Sequence, residues 1–188
     1  MYNALLCAGA SMQRGSTLED ILAKDIQGIS ITERKHHSWP SSYVDTGLDS
    51  TVTGTVESGK SLNFVNNTGA PLFLFAYCDQ LNYTVTVYIY GLPLEEGVTY
   101  QVRGVVDEVI EPGETIINYD KTKPADFSED TIKARKGYKA TAYRDKYVNG
   151  VLDPNATEKL YSETYNAVTG ERTVGTGGAE PPATPKPQ

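Results

Sequence analysis

The sequence predicts an α+β protein: short N-terminal helices with a mainly antiparallel sheet, then an elongated all-β module. Three observations lead there. Apolar residues recur at helical spacing before residue 24, and the period changes to two after Gly28. Hydrophobic residues make up only 39% of the chain, while Gly, Thr, Tyr and Asn are plentiful, as in β-rich proteins with many turns.

Taken in order, Ala4, Leu5, Ala8 and Met12 fall on one helical face, so the spacing predicts a first helix over Asn3 to Gln13, closed by Gly15. Ser16 followed by Glu19 has capping-box spacing, which predicts a second helix in "STLEDILAK" with Leu18, Ile21 and Leu22 inward. "ISITER" and "TVTGTV" alternate as half-buried strands. "PLFLFAY" is apolar on both faces, the pattern of a central strand. The turn "CDQLN" then leads into "YTVTVYIYG", completing a hairpin.

"GLPLEEG" combines Gly, Pro and acids and reads as a boundary. Beyond it "TYQVRGVVDEVI", "ETIINYD", "YKATAYRDKYVNG" and "KLYSETYNAV" are strand candidates with short apolar runs, which implies a thin core. The division expected is residues 1–91, a linker 92–98, a β module 99–176 and a Pro-rich tail 177–188.

A formal charge of -7 argues against a nucleic-acid partner and against general attraction to anionic membranes. Residues 99–176 hold 13 acids against 11 bases, so no one-signed patch arises there either. Cys7 and Cys78 sit in apolar runs and read as buried thiols rather than a disulfide or a metal pair. The N-terminus has no basic region, and its apolar run is too short to span a membrane. Paired carboxylates at a recognisable spacing, a phosphate loop and a nucleophile elbow are all missing, and no cofactor is expected.

The chemistry-bearing residues concentrate in "ITERKHHSWPSSYVDTGLDS", which holds both histidines and the one tryptophan. Adjacent His36 and His37 on an extended segment point to opposite faces and do not chelate one ion together, so no metal site is expected. His37 could serve as a base, since neutral imidazole accepts a proton near pH 7. The competing and favoured reading is structural, with Trp39 and Pro40 packing a corner, His37 bonded to a backbone carbonyl and Asp49 capping a turn. In the second part Thr141, Tyr143, Asp145 and Tyr147 share one strand face, a ledge that could stack on sugar rings or simply brace a thin sheet.

"YNALL", "ERKHHSWPSSYVDTGLDSTV" and "LNFVNNTGAPLFLFAY" resemble the C-terminal part of the VanW family, over residues 1 to about 91. Arg34, His37, Ser38, Tyr43, Gly47, Asp49, Phe64, Asn66, Thr68 and Pro71 fall on the family pattern. Lys35, Asp45 and Ser50 depart from it. The resemblance implies a cysteine-bearing segment immediately upstream of the Tyr-Asn-Ala helix, which this chain does not contain; Cys7 is not that cysteine. The chain is thus expected to be part of a longer protein, with any membrane attachment in the absent parts. "ARKGYKATAYRDKYVNG", "LYSETYNAV" and "VGTG", with Gly137, Gly150 and Gly175, are similar to the G-five (five-glycine) extracellular module, over roughly residues 99–176.

Together the resemblances imply an extracellular or cell-envelope bacterial protein of the type that accompanies some glycopeptide (vancomycin) resistance clusters, with peptidoglycan or another N-acetylglucosamine-containing glycan as partner. The leading expectation is non-catalytic glycan binding through Arg34, His37, Ser38, Tyr43, Asp49, Tyr143 and Tyr147. One alternative is a peptidoglycan-modifying enzyme that uses the upstream cysteine, with His37 as base and Asp49 as orienter. Another is a surface stalk or spacer.

Overall fold

The computed structural model describes residues 1–55 and 58–180. The chain is β-rich, with two short helices among the described residues. It divides into two compact units, one of Met1–Val106 with Ala140–Glu163, the other of Asp107–Lys139 with Thr164–Gln188. The segment 91–97, taken from the sequence as a boundary, lies inside the first unit, because the chain returns there at residue 140.

In the first unit, helix α1 (Tyr2–Cys7) is shorter than its apolar period predicts. Gly9 has a φ of +85°, and two crossing bonds close the helix: Gly9 N–H donates to Leu6 O and Ala10 N–H to Leu5 O. This is the Schellman arrangement that a glycine after the cap favours. The chain then becomes strand β1 (Ser11–Met12), parallel to β2 (Gly28–Glu33), so Gly15 ends a strand and not a helix. Helix α2 (Leu18–Ala23) is capped by Thr17 and Asp20, one residue beyond the Ser16–Glu19 pair. Only Ile21 of its three leucine and isoleucine side chains is buried; Leu18 and Leu22 face water.

Strand β2 also pairs antiparallel with β3 (Asn63–Asn67). Tyr2, Leu5, Leu6 and Ala10 pack with Ile29 and Ile31 of β2 to form the core, joined at its margin by Met12, Phe64, Val102 and Leu160. Ser30, expected on the solvent face, is fully buried opposite Ser11, with the two hydroxyls 3.3 Å apart. "TVTGTV" yields no strand among the described residues; Thr53 makes one isolated bridge to Lys60, and Val56 lies outside those residues.

Strands β4 (Phe73–Asp79) and β5 (Thr84–Tyr90) form the hairpin read from the sequence, in register Phe73 to Tyr90. It is not central. It forms a two-stranded sheet by itself, so Phe73, Phe75 and Tyr77 are exposed, and Cys78 is an exposed free thiol instead of a buried one. Cys7 is free and half-buried.

Strand β6 (Val98–Ile110) pairs with β9 (Gly137–Val148), which lies between β10 (Val151–Leu152) and β11 (Glu158–Tyr165). The chain passes between the two units within β6, β9 and β11. Asn149 and Gly150 both have positive φ in the two-residue β9–β10 turn, the geometry that Asn-Gly favours. Arg144 of β9 is buried, and its Nη1 donates to Ala10 O at 2.7 Å and Leu6 O at 3.2 Å, placing a cation at the C-terminal end of α1.

The second unit is built on a three-stranded sheet in which β12 (Glu171–Gly175) lies between β7 (Ile116–Asp120), parallel to it, and β8 (Ser128–Ile132), antiparallel. Its most buried large side chain is Tyr165. Strands β3, β8, β10 and β12 were not separated from the surrounding turns by sequence pattern, being short or polar. The Pro-rich residues 181–188 lie outside those described.

Candidate functional site

The polar centre of the first unit is carried by the chain from Arg34 to Thr51, which leaves β2 and returns to it. Leu48 N–H donates to Asp45 O and Thr51 N–H to Lys35 O, closing this segment on itself. The turn brings Gly47 and Asp49 over Arg34, whose side chain is 0% exposed. Burying a guanidinium costs several kcal/mol unless its donors are matched. Here they are: Nε donates to Asp49 O at 2.7 Å, Nη2 to Gly47 O at 2.9 Å, and Nη1 to Glu163 Oε1 at 2.8 Å. Asp49 Oδ1 lies 3.5 Å from Nη2. The rings of Tyr161 and Tyr2 lie against the same guanidinium, 4.7 and 5.1 Å from their centroids. Burial works against the Arg34 charge, but Tyr161, Tyr2, Glu163 and Asp49 outweigh it and hold the guanidinium's pKa above its ordinary value. Burial also drives the Tyr2 phenol far up, with Tyr161 adding to it.

Asp49 connects this charge to the histidines. Its side chain is 1% exposed, and its Oδ2 accepts both the backbone N–H of His37 and the Nδ1 of the same ring, each at 2.7 Å. The carboxylate therefore fixes the ring from two sides, in place of the carbonyl partner expected from sequence. His37 keeps 36% of its side chain exposed, and Nε2 makes no hydrogen bond among the described residues. Ser41 Oγ lies 3.2 Å from Nδ1, the nitrogen that Asp49 already occupies, and Tyr43 meets the ring edge-on with centroids 6.5 Å apart. Ser38 is exposed and joins none of these bonds. His36 turns the other way, its Nε2 lying 3.6 Å from Glu163 Oε2.

A cavity of about 750 Å³ opens along Tyr43, lined among others by Tyr2, Asn3, Leu48, Ser50 and Val85. Asn3 Oδ1 and Ser50 Oγ are buried there without a hydrogen-bond partner among the described residues. Such atoms are what a polar ligand satisfies. No group of three or more His, Cys, Asp and Glu able to hold a metal occurs among the described residues. Burial pushes the Cys7 thiol up, against the smaller opposing effects of Arg144 and a bond from Val102, so it is a poor nucleophile.

The tyrosine ledge is present on β9 as a shared face, but its groups are engaged internally. Arg103 lies over the Tyr143 ring at 4.7 Å and donates to Asp145 Oδ2 at 2.7 Å. Asp145 Oδ1 accepts from Thr157, and Thr141 meets Ser162. Tyr147 is half-buried.

Sequence reading assigned Arg34, His37 and Asp49 and missed Tyr2, Ser41, Tyr161 and Glu163. Tyr161, Glu163 and Tyr165 alternate on one face of β11, and a carboxylate between inward aromatics was the available signal.

A family model described as VanW like protein matches residues 15–89. No curated protein matches the chain. A solved structure titled "Crystal structure of HP0197-G5" is 26% identical, covers 42% of this chain and 97% of that chain, and superposes with a TM-score of 0.23. Among the described residues, no helix is long and apolar enough to cross a membrane.

Proposed function

We propose that the chain belongs to a bacterial cell-envelope protein that modifies peptidoglycan, with His37 as the proton-transfer group and Asp49 as its orienter. The VanW match over residues 15–89, which includes both residues, supports the envelope assignment. The carrying observation is the doubly bonded His37: a buried carboxylate holds Nδ1 and the backbone N–H, each at 2.7 Å, while Nε2 makes no hydrogen bond among the described residues and the side chain is 36% exposed. A carboxylate on Nδ1 favours the tautomer with the lone pair on Nε2, as a general base requires. In this reading Nε2 takes the proton of the attacking nucleophile, and Tyr43, which meets the His37 ring edge-on, links it to the neighbouring cavity.

Non-catalytic binding by the tyrosine ledge is less well supported, because Arg103 takes one face of Tyr143 and Asp145 is held by Arg103 and Thr157. Incubating purified peptidoglycan with the full chain, followed by muropeptide separation, tests the reading. The expected result is a new product that His37→Ala reduces by about 100-fold or more. Equal product from His37→Ala would refute it. Retention on peptidoglycan without turnover, abolished by Tyr143→Ala with Tyr147→Ala, would transfer the function to the ledge.

A further inference from the structure

Two residues of β11, far outside the stretch matched by the VanW model, close the back of the histidine centre. Glu163 Oε1 accepts from Arg34 Nη1 at 2.8 Å, and its other oxygen lies 3.6 Å from His36 Nε2; Arg14 also pairs with it. Tyr161 lies against the Arg34 guanidinium, and its hydroxyl donates to Gly47 O at 2.8 Å while accepting from Tyr2 at 2.6 Å. Gly47 and Asp49 are the turn that presents the carboxylate to His37. Both carbonyls of that turn are thus tied to Arg34, and one of them also to Tyr161.

We propose that Glu163 and Tyr161 are positioning residues for His37, acting through Arg34 and the Gly47–Asp49 turn, a proposal that rests on His37 being the proton-transfer group. The physical reason is competition for Asp49. Arg34 Nη2 already stands 3.5 Å from Asp49 Oδ1, and Glu163 satisfies the other end of the guanidinium. Without Glu163 the buried cation draws on the one carboxylate left within reach, and whatever charge Asp49 yields to Arg34 is lost to the imidazole N–H. Tyr161 acts on the same turn by a different route, holding Gly47 O so that the carboxylate keeps its aim. The matched segment therefore does not contain the whole centre; part of it comes from sequence more than 100 residues later.

The test is the tautomer of His37, read from the ring nitrogen chemical shifts of the full chain labelled with ¹⁵N-histidine and assigned with His36→Gln. In the wild type the charge-assisted bond to Asp49 favours Nδ1–H by at least about tenfold. Glu163→Gln is expected to cut that preference at least several-fold, Glu163→Asp to restore part of it, and Tyr161→Phe to weaken it while keeping the ring against Arg34. Circular dichroism identifies folded variants, and Tyr161→Phe carries the test alone if Glu163→Gln does not fold. Folded variants with the wild-type preference overturn the proposal and leave His37 as base intact. A wild type without the preference overturns the proton-transfer reading itself, and the proposal with it.

Discussion

Residues 34–49 and residues 73–89 lie within one matched segment, yet they meet water in opposite ways. The first carries two charged side chains that are 0% and 1% exposed, Arg34 and Asp49. The second is the most apolar part of the chain, and Phe73 is 68% and Phe75 55% exposed. Arg34 stays inside because carbonyls, carboxylates and aromatic faces meet it on every side. The Phe73, Phe75 and Tyr77 face stays outside because this two-stranded sheet packs towards the core only on its other side, through Ile89, and nothing among the described residues covers the outer one. Burial thus follows the availability of partners, and hydropathy alone ranks these two stretches in the wrong order.

The largest expected effect is on the polar side. Asp49→Ala removes the acceptor shared by Arg34 and His37 and leaves a buried cation short of a counter-charge. It should lower the unfolding free energy by about 3–5 kcal/mol in urea titration. A loss below about 1 kcal/mol would mean that the Gly47, Asp49 and Glu163 contacts hold Arg34 unaided, and that the carboxylate serves His37 alone.

A buried carboxylate paired with a half-exposed arginine sharpens the contrast. Hydrogen bonding from Arg103 holds the Asp145 carboxyl below its ordinary value, with burial opposing and Thr157 assisting. The stabilisation is present in full above the unfolded pKa, about 3.9, and is lost as pH falls through the lower folded value. Arg103 is 45% exposed, so the contribution is about 1 kcal/mol or less. The stability gap between the wild type and Asp145→Asn should therefore narrow as the pH is taken from about 5 to about 2. A gap independent of pH would assign the Asn effect to packing.

The smallest effect belongs to the apolar side. Phe73→Thr, which keeps a strand-forming residue at an exposed site, should change stability by less than about 0.5 kcal/mol. A loss of 2 kcal/mol or more, in the range of about 3–5 kcal/mol typical of buried Phe truncation, would show that the face is covered in solution.

Much of the local structure was legible in the sequence. The period-two runs located β2, β4, β5, β6, β9 and β11, whereas the Asn149–Gly150 turn that starts β10 was left inside the β9 strand candidate. The end of α1 was misplaced because the apolar period runs past Gly9, where a positive φ breaks the helix. Arg34, His37 and Asp49 could be singled out because a short segment with both histidines is unusual in composition. Which nitrogen of His37 is held, and by what, was beyond reach, since a histidine close to a carboxylate in sequence leaves both their distance and their angle open.

By itself, then, the sequence determined what acts locally: strand periodicity, turn chemistry and the residue types available for acid–base work. Tertiary structure alone decided which face of each strand is buried, which partner each charge receives, and that Tyr161 and Glu163 join a centre begun at Arg34. The physical reason is that periodicity is a property of neighbouring residues, whereas the cost of burying a charge depends on atoms more than 100 residues away along the chain.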